Sequence, residues 1–209
     1  MKKIISFAAV ILLLFSLISC DEKEKNREYN ETEVKAAAEL LIKESAPLND
    51  VFWGAGIEYE EDFNYKNGFY YPAKTESVEK LGISTLDGLK KKTEAVFSKG
   101  YCDSIYKTVF TSYGDEDDLL GYARYYQGID RIMVYSKANV LLADKVEYHY
   151  GTLSVLGSEE KTVFVTISVT VTRGEKSQTQ IIKVGLLEEE SGWRIDTPTY
   201  LVYNEFLDD

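Results

Sequence analysis

Cysteine is almost missing from this chain: only Cys20 and Cys102 occur in 209 residues. Two thiols allow one disulfide at most, so packing rather than cross-linking has to hold the fold together. Histidine is scarcer still, with His149 the only imidazole. Zinc and iron–sulfur centres therefore lack a ligand set, and neither a metal nor an organic cofactor is expected. Any Ser-His-Asp or Cys-His chemistry would have to pass through that one ring. Positive charge is also short, because 24 Lys and Arg stand against 35 Asp and Glu for a formal net charge of −11. Phosphate backbones are bound by Lys and Arg that displace counterions, so nucleic acid is not an expected partner. Rossmann and P-loop glycine patterns are absent, as are internal repeats.

What is present begins with residues 1–20. Lys2 and Lys3 form a short positive segment, residues 4–17 are an almost unbroken apolar run, and Leu17-Ile18-Ser19-Cys20 follows. This is the organisation of a bacterial secretory signal, and its last four residues resemble a lipobox, the site where signal peptidase II cuts before a lipidated cysteine. The apolar run is shorter than the ~20 residues that span a bilayer comfortably. Asp21-Glu22-Lys23-Glu24 follows it in place of a basic stop-transfer cluster. The expectation is a signal peptide over residues 1–19, a lipidated Cys20 opening a flexible spacer over 20–30, and a single domain over 31–209. More than one acyl chain on Cys20 would hold the domain stably at the extracytoplasmic face of the cell membrane. Cys102 would then have no intramolecular partner. Loss of Lys2 and Lys3 would also make the chain two charges more negative.

Past the spacer, Asn30-x-x-Glu33 has the character of a capping box. Val34, Ala37, Ala38 and Leu41 recur at helical spacing, which predicts a helix over 33–43. Ser45 could cap a second, short helix with Pro47 in its first turn and Leu48, Val51 and Phe52 inward, ended by Gly54 and Gly56. Residues 58–82 are rich in Tyr and Phe and broken by Asn67-Gly68 and Pro72, with a short strand over 69–71. Ser84 or Thr85 starts another helix, whose inward stripe is Leu86, Leu89, Thr93, Val96 and Phe97, opposite Lys90-Lys91-Lys92. Gly100 punctuates, and residues 101–110 add a turn or two with Cys102, Ile105 and Val109 on one face. Cys102 reads there as a small buried hydrophobe.

From Tyr122 onward the period changes to two. Residues 122–126 and 131–136 read as short strands, and 145–156 as a long strand with a bulge or bend at Gly151. Over residues 161–172, Val163, Val165, Ile167, Val169 and Val171 point one way. Residues 178–188 and 193–200 follow turns at Arg173-Gly174 and Ser191-Gly192. Helices first and strands second predict an α+β domain, with N-terminal helices packed on one face of a long, strongly curved antiparallel meander.

A leading helix, a short helical middle and long strands ending in Gly192-Trp193-Arg194-Ile195-Asp196 resemble the NTF2-like (cystatin-like cone) superfamily. Leu48-Asn49-Asp50-Val51-Phe52-Trp53-Gly54, Tyr70-Tyr71-Pro72, and residues 84–101 with their Phe97-Ser98-Lys99-Gly100-Tyr101 ending are similar to the IseA family of cell-wall DL-endopeptidase inhibitors. These stretches cover most of residues 33–126 and are patterns of spacing and aromatic placement. The second resemblance implies a non-catalytic lipoprotein that inhibits a peptidoglycan hydrolase, or contacts the wall itself. The first leaves open a small-molecule-binding protein or an enzyme using His149 with a carboxylate.

His149 shares its strand face with Lys145 and Glu147 if Val146, Tyr148 and Tyr150 turn inward, which places it on an exposed sheet face. Asp115-Glu116-Asp117-Asp118 lacks the alternating ligands and trailing glutamate of a calcium loop, so Asp115, Asp117 and Asp118 are candidates for contact with a basic partner. Glu58-Tyr59-Glu60-Glu61-Asp62 is read the same way. The aromatic load is large, at 16 Tyr, 9 Phe and 2 Trp. Tyrosine buries a ring while keeping a wet hydroxyl, which suits interfaces. Trp53, Tyr70, Tyr71, Tyr125 and Tyr126 fall in irregular segments and are the aromatic partner-contact candidates, whereas Trp193 reads as core. No residue is assigned a catalytic or metal-binding role.

Overall fold

A computed structural model describes residues 29–62, 69–111, 122–142 and 145–201. The chain enters through α1 (Glu31–Trp53). Asn30 caps it by accepting from the backbone N–H groups of Thr32 and Glu33, which satisfies two of the donors a helix start leaves open. Two helices separated near Ser45 were expected, and the structure has one continuous helix with Pro47 inside it. An interior proline costs about 3 kcal/mol. Here Leu41, Ile42, Leu48, Val51 and Phe52 are buried on both sides of it, and five such side chains together contribute more than that cost. Ser45 is not a cap. Its hydroxyl lies wholly buried, donating to the Ile42 carbonyl and meeting the hydroxyl of Thr199 at 2.8 Å.

Strand β1 (Tyr70–Pro72) and helix α2 (Thr75–Lys80) come next. The period gave no sign of α2, and its six residues bury no side chain. Helix α3 (Leu86–Val96) is capped by Thr85 and buries Leu86, Leu89, Thr93 and Val96, the predicted stripe. Helix α4 (Lys99–Val109) starts from Ser98, so Gly100 lies in its first turn instead of breaking the chain. Its buried face is Cys102, Ile105 and Val109.

The remaining strands are β2 (Tyr125–Gln127), β3 (Ile132–Tyr135), β4 (Lys145–Glu159), β5 (Thr162–Arg173), β6 (Lys176–Glu189) and β7 (Gly192–Ile195). They do not form the single meander expected from Tyr122 onward. Strands β4-β5-β6-β7 make a four-stranded antiparallel sheet, while β2 and β3 join β1 in a separate three-stranded sheet of order β1-β3-β2. Tyr71, Val134 and Tyr125 lie in register across that second sheet.

In the large sheet Val163, Val165, Ile167, Val169 and Val171 are all fully buried, as period-two alternation requires when one face is covered. Helix α1 lies against β4, β5 and β7, and α3 touches α1, β2 and β7. The buried residues of the helices and of both sheets form one apolar cluster. The expected irregularity at Gly151 is present. Between the pairs His149–Ser168 and Ser154–Thr166, β4 advances three residues further than β5, and the Thr152 hydroxyl accepts from the Ser168 N–H. The fold is thus α+β, with helices on one face of a four-stranded antiparallel sheet and a small second sheet beside them.

Candidate functional site

The C-terminal end of α1 organises the most distinctive chemistry. A helix end leaves carbonyls without partners and carries partial negative charge, and the last turn of α1 holds no basic residue. Arg124, immediately before β2, fills that role from 70 positions away. Its Nη2 donates to the Gly54 carbonyl at 2.5 Å, Nη1 to the Asn139 carbonyl at 3.1 Å, and Nε to the Tyr125 hydroxyl at 3.2 Å. That hydroxyl donates to the Val51 carbonyl and accepts from the Ile57 N–H. Gly56 adopts φ +82°, and a Cβ there would stand 2.5 Å from the Tyr125 oxygen. Burial raises the Tyr125 phenol above its ordinary pKa, opposed by the adjacent guanidinium. Arg124 itself is 9% exposed, and it meets no carboxylate among the described residues.

Beside this hub lies a pocket of about 240 Å³, with walls from Phe52, Trp53, Tyr122, Arg124, Tyr135 and Lys137. No Asp or Glu among the described residues lines it. Lys137 holds its ammonium 4.2 Å from the centre of the Phe69 ring. The Trp53 indole N–H is buried with no acceptor among the described residues. A larger cleft of about 480 Å³ runs between α1 and α2, but it mixes Asp50, Glu58 and Glu76 with Lys74 and Lys80, and Lys74 already pairs with Glu58 at 3.0 Å. The smaller pocket is the one whose described charged groups are all of one sign.

Its aromatic wall continues over the outer face of the three-stranded sheet. Tyr122 stacks on Tyr135 with centroids 5.2 Å apart, and Tyr70 meets Tyr126 edge to face at 4.8 Å. Phe69 and Tyr70 each contact both Tyr122 and Tyr135. The Tyr70 hydroxyl donates to the Ala123 carbonyl, and burial pushes its pKa up to about 12. Tyr126 is 40% exposed at the edge of the cluster.

The predicted contact residues are therefore only partly brought together. Tyr70 and Tyr126 share this cluster. Tyr71 lies on the opposite face of β1, stacked on Tyr59. Tyr125 is fully buried and belongs to the core, a correction to its reading as a surface contact. Trp53 closes α1, half-buried beside Phe52 and Tyr200. Asp115, Asp117, Asp118 and Cys20 lie outside the described residues. In the other acidic run Glu58 pairs with Lys74 and Glu60 with Arg131, at 3.0 Å each, and the described residues hold no cluster of potential metal ligands.

His149 takes the exposed-face position expected for it. Its Nε2 meets the Thr170 hydroxyl at 2.7 Å, and that hydroxyl meets Thr179 at 2.7 Å. The pockets described above do not include it. Cys102 is 2% exposed, and burial raises its thiol to a pKa of about 11. It behaves as packing, since a thiol held protonated is a poor nucleophile.

Sequence reasoning missed Arg124, Lys137, Tyr122 and Tyr135. One signal was available: Tyr122-Ala123-Arg124-Tyr125-Tyr126 sets a lone guanidinium inside an apolar, strand-like run, and a charge in that setting asks for a buried partner. No family model matches the chain, and no curated protein matches it.

Proposed function

We propose that this chain is a lipid-anchored extracytoplasmic protein whose NTF2-like, IseA-like domain binds a partner instead of turning over a substrate. The partner in this reading is a cell-wall DL-endopeptidase whose substrate cleft the domain covers. The observation that supports it is the gathering of Tyr70 and Tyr126, from segments far apart in the chain, into one aromatic cluster with an exposed rim. Clustered tyrosines supply large, rigid contact area at low entropic cost, the usual make-up of interface anchors. The acidic balance of the chain would add attraction to a basic enzyme surface and hasten encounter. The Leu17-Ile18-Ser19-Cys20 ending supports the anchor, and no described helix is long and apolar enough to cross a membrane. Acid–base chemistry at His149 finds no comparable support, because the ring is engaged in a threonine row on the sheet surface.

The test is digestion of purified cell wall by an NlpC/P60-type hydrolase with and without the protein. Slowed digestion, relieved at least tenfold by Tyr126→Ala as expected for loss of an interface anchor, is the expected result. Unslowed digestion at saturating protein refutes the inhibitor. The anchor is tested separately by mass spectrometry of the exported protein, where an unmodified Cys20 would refute it.

A further inference from the structure

The pocket at the end of α1 is lined by donors that lack acceptors among the described residues. Three of the five N–H groups of Arg124 are used by the Gly54 carbonyl, the Asn139 carbonyl and the Tyr125 hydroxyl, which leaves two without a partner among the described residues. Helix-end carbonyls offset part of its charge, but they amount to about half an elementary charge. Lys137 adds a second cation at the rim, answered among the described residues by the face of Phe69. Around them stand Phe52, Trp53, Tyr122 and Tyr135, and no acidic side chain among the described residues. A guanidinium this buried with no carboxylate among the described residues, in a chain with an excess of acids, is an arrangement that burial alone disfavours, and the exposed Lys137 adds to its positive charge.

We propose that this pocket binds the carboxylate of a small aromatic acid. The carboxylate would meet Arg124 and Lys137, and the flat body would lie between the aromatic walls. Guanidinium and carboxylate match in geometry as well as in charge. A volume of about 240 Å³ suits one ring and its acid, and is below the range of ordinary drug-sized sites. The same chemistry is offered by a free aromatic acid and by the C-terminal phenylalanine of a short peptide. Neither source depends on the partner-inhibition reading: the hydrolase assay could fail while this pocket still binds, and the reverse holds equally.

The chain has only two tryptophans, Trp53 and Trp193. Trp53 lines the pocket, whereas Trp193 sits in β7 against Tyr29. Full-length protein carrying ¹⁵N-labelled tryptophan, held in detergent, therefore gives one reporting and one silent indole signal, assigned through Trp193→Phe. Phenylacetate is expected to shift the Trp53 signal saturably and leave Trp193 unmoved. Phenylacetamide, the neutral analogue, is expected to bind at least about tenfold more weakly, a factor equivalent to ~1.4 kcal/mol. Lys137→Gln should weaken phenylacetate severalfold and Lys137→Glu should abolish the shift, with thermal melts confirming that both variants fold. Arg124 is left intact because it also caps α1. Gly-Gly-Phe with a free C-terminus binding tighter than phenylacetate assigns the peptide source, and weaker or equal binding assigns the free acid. No saturable shift at about 10 mM phenylacetate, equal binding of the amide, or an unchanged response in Lys137→Glu each overturns the proposal.

Discussion

Gly56→Ala tests the hub that holds α1 to the three-stranded sheet, and Gly174→Ala is its natural control. Both glycines have positive φ, +82° and +59°, so each alanine meets the same backbone penalty, on the order of 1 kcal/mol. They differ in space. A Cβ on Gly174 meets nothing within 4 Å, whereas one on Gly56 stands 2.5 Å from the Tyr125 oxygen and 2.7 Å from Arg124 Nη2. Neither neighbour can move without loss, because the hydroxyl bonds Val51, Ile57 and Arg124, and Nη2 bonds Gly54. Each buried polar group left unsatisfied costs about 1–3 kcal/mol. Displacing the oxygen strands at least one, so Gly56→Ala should destabilise by ~2–4 kcal/mol against ~1 kcal/mol for Gly174→Ala. Urea unfolding followed by tryptophan fluorescence measures both. Tyr125→Phe removes the clashing oxygen, and on that background the added cost of Gly56→Ala should shrink by roughly 1–2 kcal/mol, a coupling expected only between groups in contact. Equal losses for the two glycine variants, or strict additivity with Tyr125→Phe, would show that the clash is not what fixes glycine at position 56.

Ile167→Ala empties a fully buried site in the middle of β5 and should cost ~2–5 kcal/mol in the same unfolding assay. Thr170→Ala, on the outer face of that strand, should stay within about 1 kcal/mol. Burial raises the Tyr148 phenol to about 12, while in the unfolded chain it titrates near its ordinary value of 10.0. The folded state thus keeps its proton after the unfolded state has lost it, so full stability below the unfolded value should fall between about pH 10 and 12. Tyr148→Phe should flatten that fall when urea midpoints are plotted against pH. The Cys102 thiol, buried and held protonated with a pKa of about 11, should resist iodoacetamide at pH 8 in the folded protein. It should react fully in urea, with mass spectrometry counting the adducts.

Local periodicity carried much of the architecture. The stripe Leu86, Leu89, Thr93, Val96 is a one-dimensional pattern and was legible as such, as was the alternation from Val163 to Val171. Pattern failed where the deciding partner is distant in sequence. Ser45 and Pro47 look like a helix boundary until the Ser45 hydroxyl meets that of Thr199, 154 residues on, and the buried flanks of α1 outweigh the proline. The strands expected over 122–126 and 131–136 lie at Tyr125–Gln127 and Ile132–Tyr135, but nothing local says that their neighbour is Tyr70–Pro72 and not β4. Alternation marks which side chains share a face and is silent on which strand lies alongside.

The candidate site shows the same division more sharply. Tyr70 and Tyr126 could be nominated by residue type alone, since tyrosine suits a half-wet surface whatever its neighbours are. Arg124 could not, because the reason for its burial is created by folding. The carbonyls it caps belong to the Gly54 and Asn139 segments, which meet only after α1 and β2 have packed. A buried guanidinium is tolerated where helix-end carbonyls and a phenol already face it, and those groups offset its desolvation without neutralising it. The residual charge beside an aromatic cavity follows from that partial compensation. A hub of carbonyls can hold an arginine in place and still leave it seeking an anion, so structural capping and ligand binding at Arg124 are two consequences of one arrangement.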